Sequence, residues 1–118
     1  MFAHARRLFR YAVGTRFIDI EQESPERLEL SCGMTRTIFE KATGRVIQHS
    51  RTVGTFAAIE VIELHQPRNQ EGPLNWFVTI RLTGGRAIEV GQVTDRNDAS
   101  VVGARISTIT GHLVTVKP

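Results

Sequence analysis

Apolar and polar residues alternate with a period of two through most of this chain, and the period changes near both ends. From residue 15, TRFIDIEQ alternates through Ile18 and Ile20, ESPE breaks the pattern at Pro25, and ERLELS resumes it with Leu28 and Leu30. A period of two is the signature of a half-buried strand, so residues 15–31 predict two strands. After the break at CGM, TRTIFEKATGRVIQHS predicts a hairpin about Lys41-Ala42-Thr43-Gly44, with Gly44 where a type I turn is followed by a left-handed residue. Gly54 punctuates again. In TFAAIEVIELHQP, Ile59, Val61, Ile62 and Leu64 crowd both faces, which predicts a central or strongly curved strand. The polar stretch PRNQEGP, residues 67–73, reads as the one extended loop. LNWFVTIRL then places Trp76, Val78, Ile80 and Leu82 on one face and Phe77, Thr79 and Arg81 on the other. Gly84-Gly85 is a two-residue hairpin signal, and AIEVGQ returns with Ile88 and Val90 facing inward.

The period lengthens in TDRNDASVVGARISTITG. Val102, Ile106 and Ile109 recur at spacings of four and three, with Val101 and Arg105 at the margins, so a helix is predicted over about residues 98–110. Asp98 is the predicted N-cap and Asp95 adds negative charge near the positive end of the helix dipole. Gly103 falls inside the helix, where close approach to the sheet is its simplest use, and Gly111 sits where a left-handed residue ends a helix. HLVTV reads as a short terminal strand or an extended tail. At the other end, residues 1–14 form a basic arm that reads as helical, with Phe2, Phe9 and Val13 near one face, widened by Ala5 and Leu8.

The expected fold is therefore α+β and mainly β. Seven antiparallel strands make a bent sheet or partly open barrel, closed by one C-terminal amphipathic helix, in a single domain over residues 15–118. That element order resembles the pleckstrin-homology (PH)-like barrel, small bacterial members included, and the residues carrying the resemblance are LNWFVTIRLTGGRAIEVGQ followed by DASVVGARISTITG. It covers about residues 15–111 and rests on element order and hydrophobic pattern. The resemblance implies a scaffold for protein or ligand contacts rather than a catalytic fold. Many PH domains hold inositol lipids with basic residues around the first hairpin. Here that turn is Glu23-Ser24-Pro25-Glu26, so inositol-lipid recognition by that route is not carried over.

Charge changes the picture only at the N-terminus. The chain has 118 residues with 15 Lys and Arg against 12 Asp and Glu. Arg6, Arg7, Arg10 and Arg16 lie in the first 16 positions, where no acidic residue occurs, so the rest of the chain is nearly neutral. Sequence-independent nucleic-acid binding needs clustered cations on the body, and such a partner is not expected. Cys32 is the only cysteine, which rules out an intramolecular disulfide and a Cys-rich zinc site and fits a reducing, cytoplasmic setting. The opening MFAHARRLFRYAV lacks the continuous apolar segment of a secretory signal. No apolar run approaches the ~20 residues that span a bilayer.

Motifs for chemistry are missing. G-x-G-x-x-G, the Walker lysine motif and the G-x-S-x-G elbow do not occur. Asp95-Arg96-Asn97-Asp98 lacks the glycine and glutamate of a calcium loop. His4, His49, His65 and His112 fit no metal spacing, and no metal or cofactor is expected. Glu60, Glu63 and Glu89 are the carboxylates that a barrel could bring together. The leading expectation is a non-enzymatic binding module that makes protein–protein contacts, itself included, as a homo-oligomer. A second is peripheral binding to an anionic membrane surface through Phe2, Arg6, Arg7, Phe9 and Arg10, placing the chain in the cytoplasm or against the inner membrane. A third is a small-molecule pocket at the barrel mouth or under the 67–73 loop, with His65, Trp76 and Arg81 as its candidate residues.

Overall fold

The computed structural model describes residues 17–67 and 75–117. Nine strands and one helix follow in the order β1 (Asp19–Glu23), β2 (Arg27–Cys32), β3 (Thr35–Glu40), β4 (Arg45–Gln48), β5 (Arg51–Thr55), β6 (Ile59–His65), β7 (Trp76–Leu82), β8 (Ala87–Val93), α1 (Arg96–Thr110) and β9 (Val114–Lys117). The expected seven strands are thus corrected to nine, and the expected partly open barrel to two sheets. One sheet is the antiparallel meander β1-β2-β3-β4-β5 and the other has the order β8-β7-β6-β9. The predicted N-terminal helix lies outside the described residues.

β5 was not expected, and β9 was expected only as one of two readings of HLVTV, a short terminal strand or an extended tail; each has a physical reason. β4 and β5 are joined through His49 and Ser50, with φ of 53° and 62°. Two left-handed residues in succession make the turn that suits a tight hairpin, usually written Asn-Gly or Asp-Gly. A His-Ser pair gives no such signal. β9 pairs with β6 in parallel, matching Ile62 with Val114 and Leu64 with Val116. Parallel neighbours are brought together by the crossover between them and leave no local turn to read.

Other expectations hold. β6 lies between β7 and β9, as the apolar crowding on both its faces predicts. Gly44 has φ 64° and donates its N–H to the Lys41 carbonyl at 3.2 Å. The helix starts two residues before the predicted position, because Asp95 and not Asp98 is the N-cap. The Asp95 carboxylate accepts the Asp98 N–H at 2.8 Å, which leaves Asp98 in the first turn. Gly111, at φ 76°, closes the helix through its N–H to the Ser107 carbonyl at 2.8 Å.

The core lies between the two inner faces and under the helix. Leu28, Leu30, Phe39 and Val46 come from the five-stranded sheet; Ile62, Leu64, Val78, Ile80, Leu82, Ile88 and Val90 come from the other. Ala99, Val102, Ile106 and Ile109 supply the buried stripe of α1. A Cβ at Gly103 would stand 3.3 Å from Leu64 and Val114, so this glycine does allow the helix to approach the sheet closely.

The sheets are also fastened along a seam. Ile18 donates its N–H to the Gln92 carbonyl at 2.9 Å, and the Gln48 amide reaches the Glu89 carbonyl at 3.0 Å. Gly91 has φ 150°, and a Cβ there would fall 2.5 Å from Cys32 Sγ and 2.9 Å from Ile18 Cγ1. β8 bulges beside this point, where the register with β7 shifts between Val78 and Thr79. A bulge bends its strand, and the bend lets β8 lie against the end of β2.

Candidate functional site

The two sheets present outer faces of opposite character. On the four-stranded sheet, alternation turns Glu63, His65, Thr79, Arg81 and Glu89 away from the core. Glu63 and Glu89 both stand directly opposite Thr79 on neighbouring strands. The Glu63 carboxylate is buried, accepting from Arg81 Nη2 at 3.1 Å and from Lys117 Nζ at 3.1 Å. Burial pushes its pKa up, but the hydrogen bonds and positive charges of Arg81 and Lys117 outweigh that, and the carboxyl ends below the ordinary glutamate value. Thr79, equally buried, donates to Glu89 Oε2 at 3.1 Å and lies 3.2 Å from His65 Nε2. Phe77 stacks on the His65 ring with centroids 5.7 Å apart.

This cluster is saturated. Each member bonds another, and among the described residues no buried side-chain polar atom lacks a partner. Thr79 is 1% exposed, so its hydroxyl does not face a substrate, and its proton points at a carboxylate rather than at an imidazole base. The arrangement ties three strands and the C-terminal strand together.

The expected pocket residues separate here. His65 and Arg81 share the outer face, but Trp76 lies on the inner face of β7, paired with buried Val93 and packed against the core. Alternate residues of a strand point to opposite faces, so the three do not line one cavity. Of the 67–73 loop only Pro67 is described. Phe2, Arg6, Arg7, Phe9 and Arg10 all fall outside the described residues. Glu60, the third carboxylate singled out, is exposed at the irregularity between Ile59 and Val61 and joins neither Glu63 nor Glu89. The described residues hold no group of three metal-ligating side chains.

The outer face of the five-stranded sheet is different. Ile38 and Ile47 are cross-strand partners facing outward, each only half-buried. With Met34, which is 86% exposed at the β2–β3 turn, they line an open groove of about 460 Å³. Arg27, Glu29, Arg36, His49 and Ser50 complete its walls. Arg36 pairs with Glu29 at 3.1 Å, and Glu40 accepts from Arg27 at 3.3 Å and Arg45 at 3.1 Å. A hydrogen bond from Thr43, followed by the bond from Arg45, lowers the pKa of Glu40. Here an aliphatic pair, Ile38 and Ile47, lies directly beside ion pairs, the mixture of apolar and polar surface that contact faces carry. Sequence reading did not single it out, because Ile38 and Ile47 each adjoin another apolar residue, Phe39 and Val46, and only the tertiary packing decides which of each two points inward.

No family model, curated protein or solved structure matches this chain. Among the described residues no helix is long and apolar enough to cross a membrane.

Proposed function

We propose that this chain is a non-enzymatic binding module making protein–protein contacts, self-association included, through the outer face of its five-stranded sheet. The observation that carries this reading is the groove lined by Met34, Ile38 and Ile47 together with the Arg36–Glu29 ion pair. Single exposed apolar side chains are ordinary, but a contiguous set beside charged side chains is the pattern of an interaction patch. The PH-like architecture remains our reading of the fold's kinship. The last hairpin followed by the helix supports it, while the ninth strand and its parallel pairing with β6 are additions to that plan.

Light scattering coupled to size exclusion, run on the full chain at rising concentration, tests the proposal together with a pull-down. Wild-type chain should gain mass or retain a protein partner, and Ile47→Lys should lose that contact with its thermal transition kept. A wild-type chain that stays monomeric and retains nothing, or an Ile47→Lys chain that behaves like wild type, overturns it.

A second reading, peripheral binding to an anionic membrane, is supported by Met34 at a hairpin tip beside Arg36, together with the arginines of the first 16 residues. Salt-sensitive flotation with phosphatidylserine vesicles that Met34→Asp abolishes would favour it. Flotation unchanged by that variant removes the tip from the mechanism.

A further inference from the structure

The two sheets end in four edge strands, β1, β5, β8 and β9. An edge carries a row of unpaired backbone donors and acceptors on which another strand can add, and proteins blunt such edges with charge, bulges or cover. Three of the four are blunted. β1 bears Asp19, Glu21 and Glu23 along its five residues. β5 is irregular, with Val53 left out of the register, and the Val53 carbonyl accepts from Arg86 Nη2 at 2.8 Å. β8 is covered, because its Gln92 and Glu89 carbonyls accept from the Ile18 N–H and the Gln48 amide.

β9 is not blunted. Val114–Lys117 pair with β6 in unbroken register, and the one lysine turns its ammonium back onto Glu63 at 3.1 Å. The Ile62 N–H donates to the Leu113 carbonyl at 3.0 Å, and Ile62 stands opposite Val114. In a parallel pair this means that residues 113, 115 and 117 bond to β6, while Val114 and Val116 turn their N–H and C=O to the open side. Among the described residues no strand pairs with that side.

We propose that this edge is a docking site for β9 of a second copy, the two strands pairing antiparallel about a two-fold axis at Thr115 and joining two four-stranded sheets into one. The register matches itself. Val114 stands opposite Val116 of the second copy and exchanges N–H and C=O with it, so every outward group on both valines finds a partner. The two Thr115 side chains meet in a pair without backbone hydrogen bonds, where side chains are closest and Thr–Thr contact is favourable. Leu113, which is 80% exposed, lies against the aliphatic stem of Lys117 of the second copy, so no like charges face each other. It is this fit of the strand to itself that favours a second copy over a foreign strand. So few residues a side make a small interface, and the dimer is weak and concentration-dependent. β9 belongs to the other sheet from the face proposed above, so the inference stands independently of that function.

Cysteine cross-linking of the full chain by oxidised glutathione tests it, with Cys32→Ser as background. Two copies of Thr115→Cys meet on the axis at a Cα separation of about 4.5 Å, within disulfide reach. Two copies of Leu113→Cys are held about 13 Å apart along the strands, beyond it. Covalent dimer should therefore form about tenfold faster or more from Thr115→Cys than from Leu113→Cys, because only the first pair fits the bond. Adding Val116→Pro removes an outward N–H and no bond to β6, and should bring Thr115→Cys down to the Leu113→Cys rate. Hydrogen exchange at Leu64, whose N–H faces β9, checks that β9 stays in place. Thr115→Lys provides a second readout, since it sets two ammonium groups opposite each other. In the Ile47→Lys background, mass by light scattering should still rise with concentration, and Thr115→Lys should abolish the rise. Equal cross-linking by Leu113→Cys, cross-linking that survives Val116→Pro, or a mass that does not respond to Thr115→Lys each overturns the proposal. Thr115→Cys cross-linking lost with Ile47→Lys also overturns it and assigns the contact to the five-stranded sheet.

Discussion

The outer faces of the two sheets are built by the same alternation of residues and differ in how their side chains are partnered. On the four-stranded sheet, Glu63 and Thr79 are buried beneath Arg81, Lys117, His65 and Glu89, and every polar group finds its partner within the cluster. On the five-stranded sheet Ile38 and Ile47 stand side by side next to the Arg36–Glu29 ion pair, with Met34 at the hairpin tip. A buried carboxylate with two cations contributes to holding strands together, whereas exposed pairs beside an aliphatic strip contribute little to stability and leave an apolar surface in contact with water. Polar residues on a sheet therefore do not mark the functional face by themselves. The face with unsatisfied apolar surface is the better candidate.

The comparison requires that the two sheets stay fixed to one another, and the largest expected effect is at the seam. Gly91→Val places a side chain against Cys32 and Ile18 at a φ of 150°, and should cost about 3 kcal/mol from overlap and backbone strain together. Thermal unfolding measures it, and a loss near zero would mean the sheets hold together elsewhere.

Glu63→Gln comes next, at about 2 kcal/mol near neutral pH, because the side chain is buried and two charged donors lose their acceptor. Its pH dependence has a definite sign. The folded pKa lies below the ordinary 4.5, so the stabilisation is fully present above that value and is lost as pH falls through the lowered folded value. Wild-type and Glu63→Gln stabilities should therefore converge in acid, and curves that stay parallel down to low pH would remove the carboxylate from the account. Asp95→Ala, which removes the N-cap of α1, should cost about 1 kcal/mol in denaturant unfolding.

The five-stranded face should respond least. Ile47→Thr keeps a β-branched side chain and should change stability by under about 1 kcal/mol while weakening any contact made there. Glu29→Gln, which opens the ion pair to Arg36, should shift stability by no more than about 0.5 kcal/mol. A Glu29→Gln loss equal to that of Glu63→Gln would erase the distinction between the faces.

Much of the candidate surface was legible only in pieces. Glu63 and Glu89 attract notice in the sequence, and the structure brings them to either side of Thr79. Lys117 does not attract notice, because its place beside Glu63 depends on β9 crossing over to pair with β6. Trp76 and His65 lie close in the chain's order of strands, yet the pleat sends them to opposite sides of the sheet. Ile38 and Ile47 each adjoin another apolar residue, Phe39 and Val46. Nothing local distinguishes an outward-facing isoleucine from an inward one until the partner strand fixes the register.

The sequence by itself determined the mainly β class, the inward faces of β7 and β8, the hairpin at Gly44, the helix with its closing Gly111, and the place of the turn at Gly84-Gly85, though that turn takes three residues, Thr83–Gly85, and not two. Each of these follows from periodicity or from a residue whose backbone freedom a turn requires, so neighbours in the chain suffice to write them. Tertiary structure alone decided that there are two sheets and nine strands, that β9 lies beside β6, and that one outer face closes on itself while the other stays open. Those outcomes depend on which strand edges meet across dozens of residues, and the free energy that selects them comes from burying inner faces together rather than from any single stretch of chain.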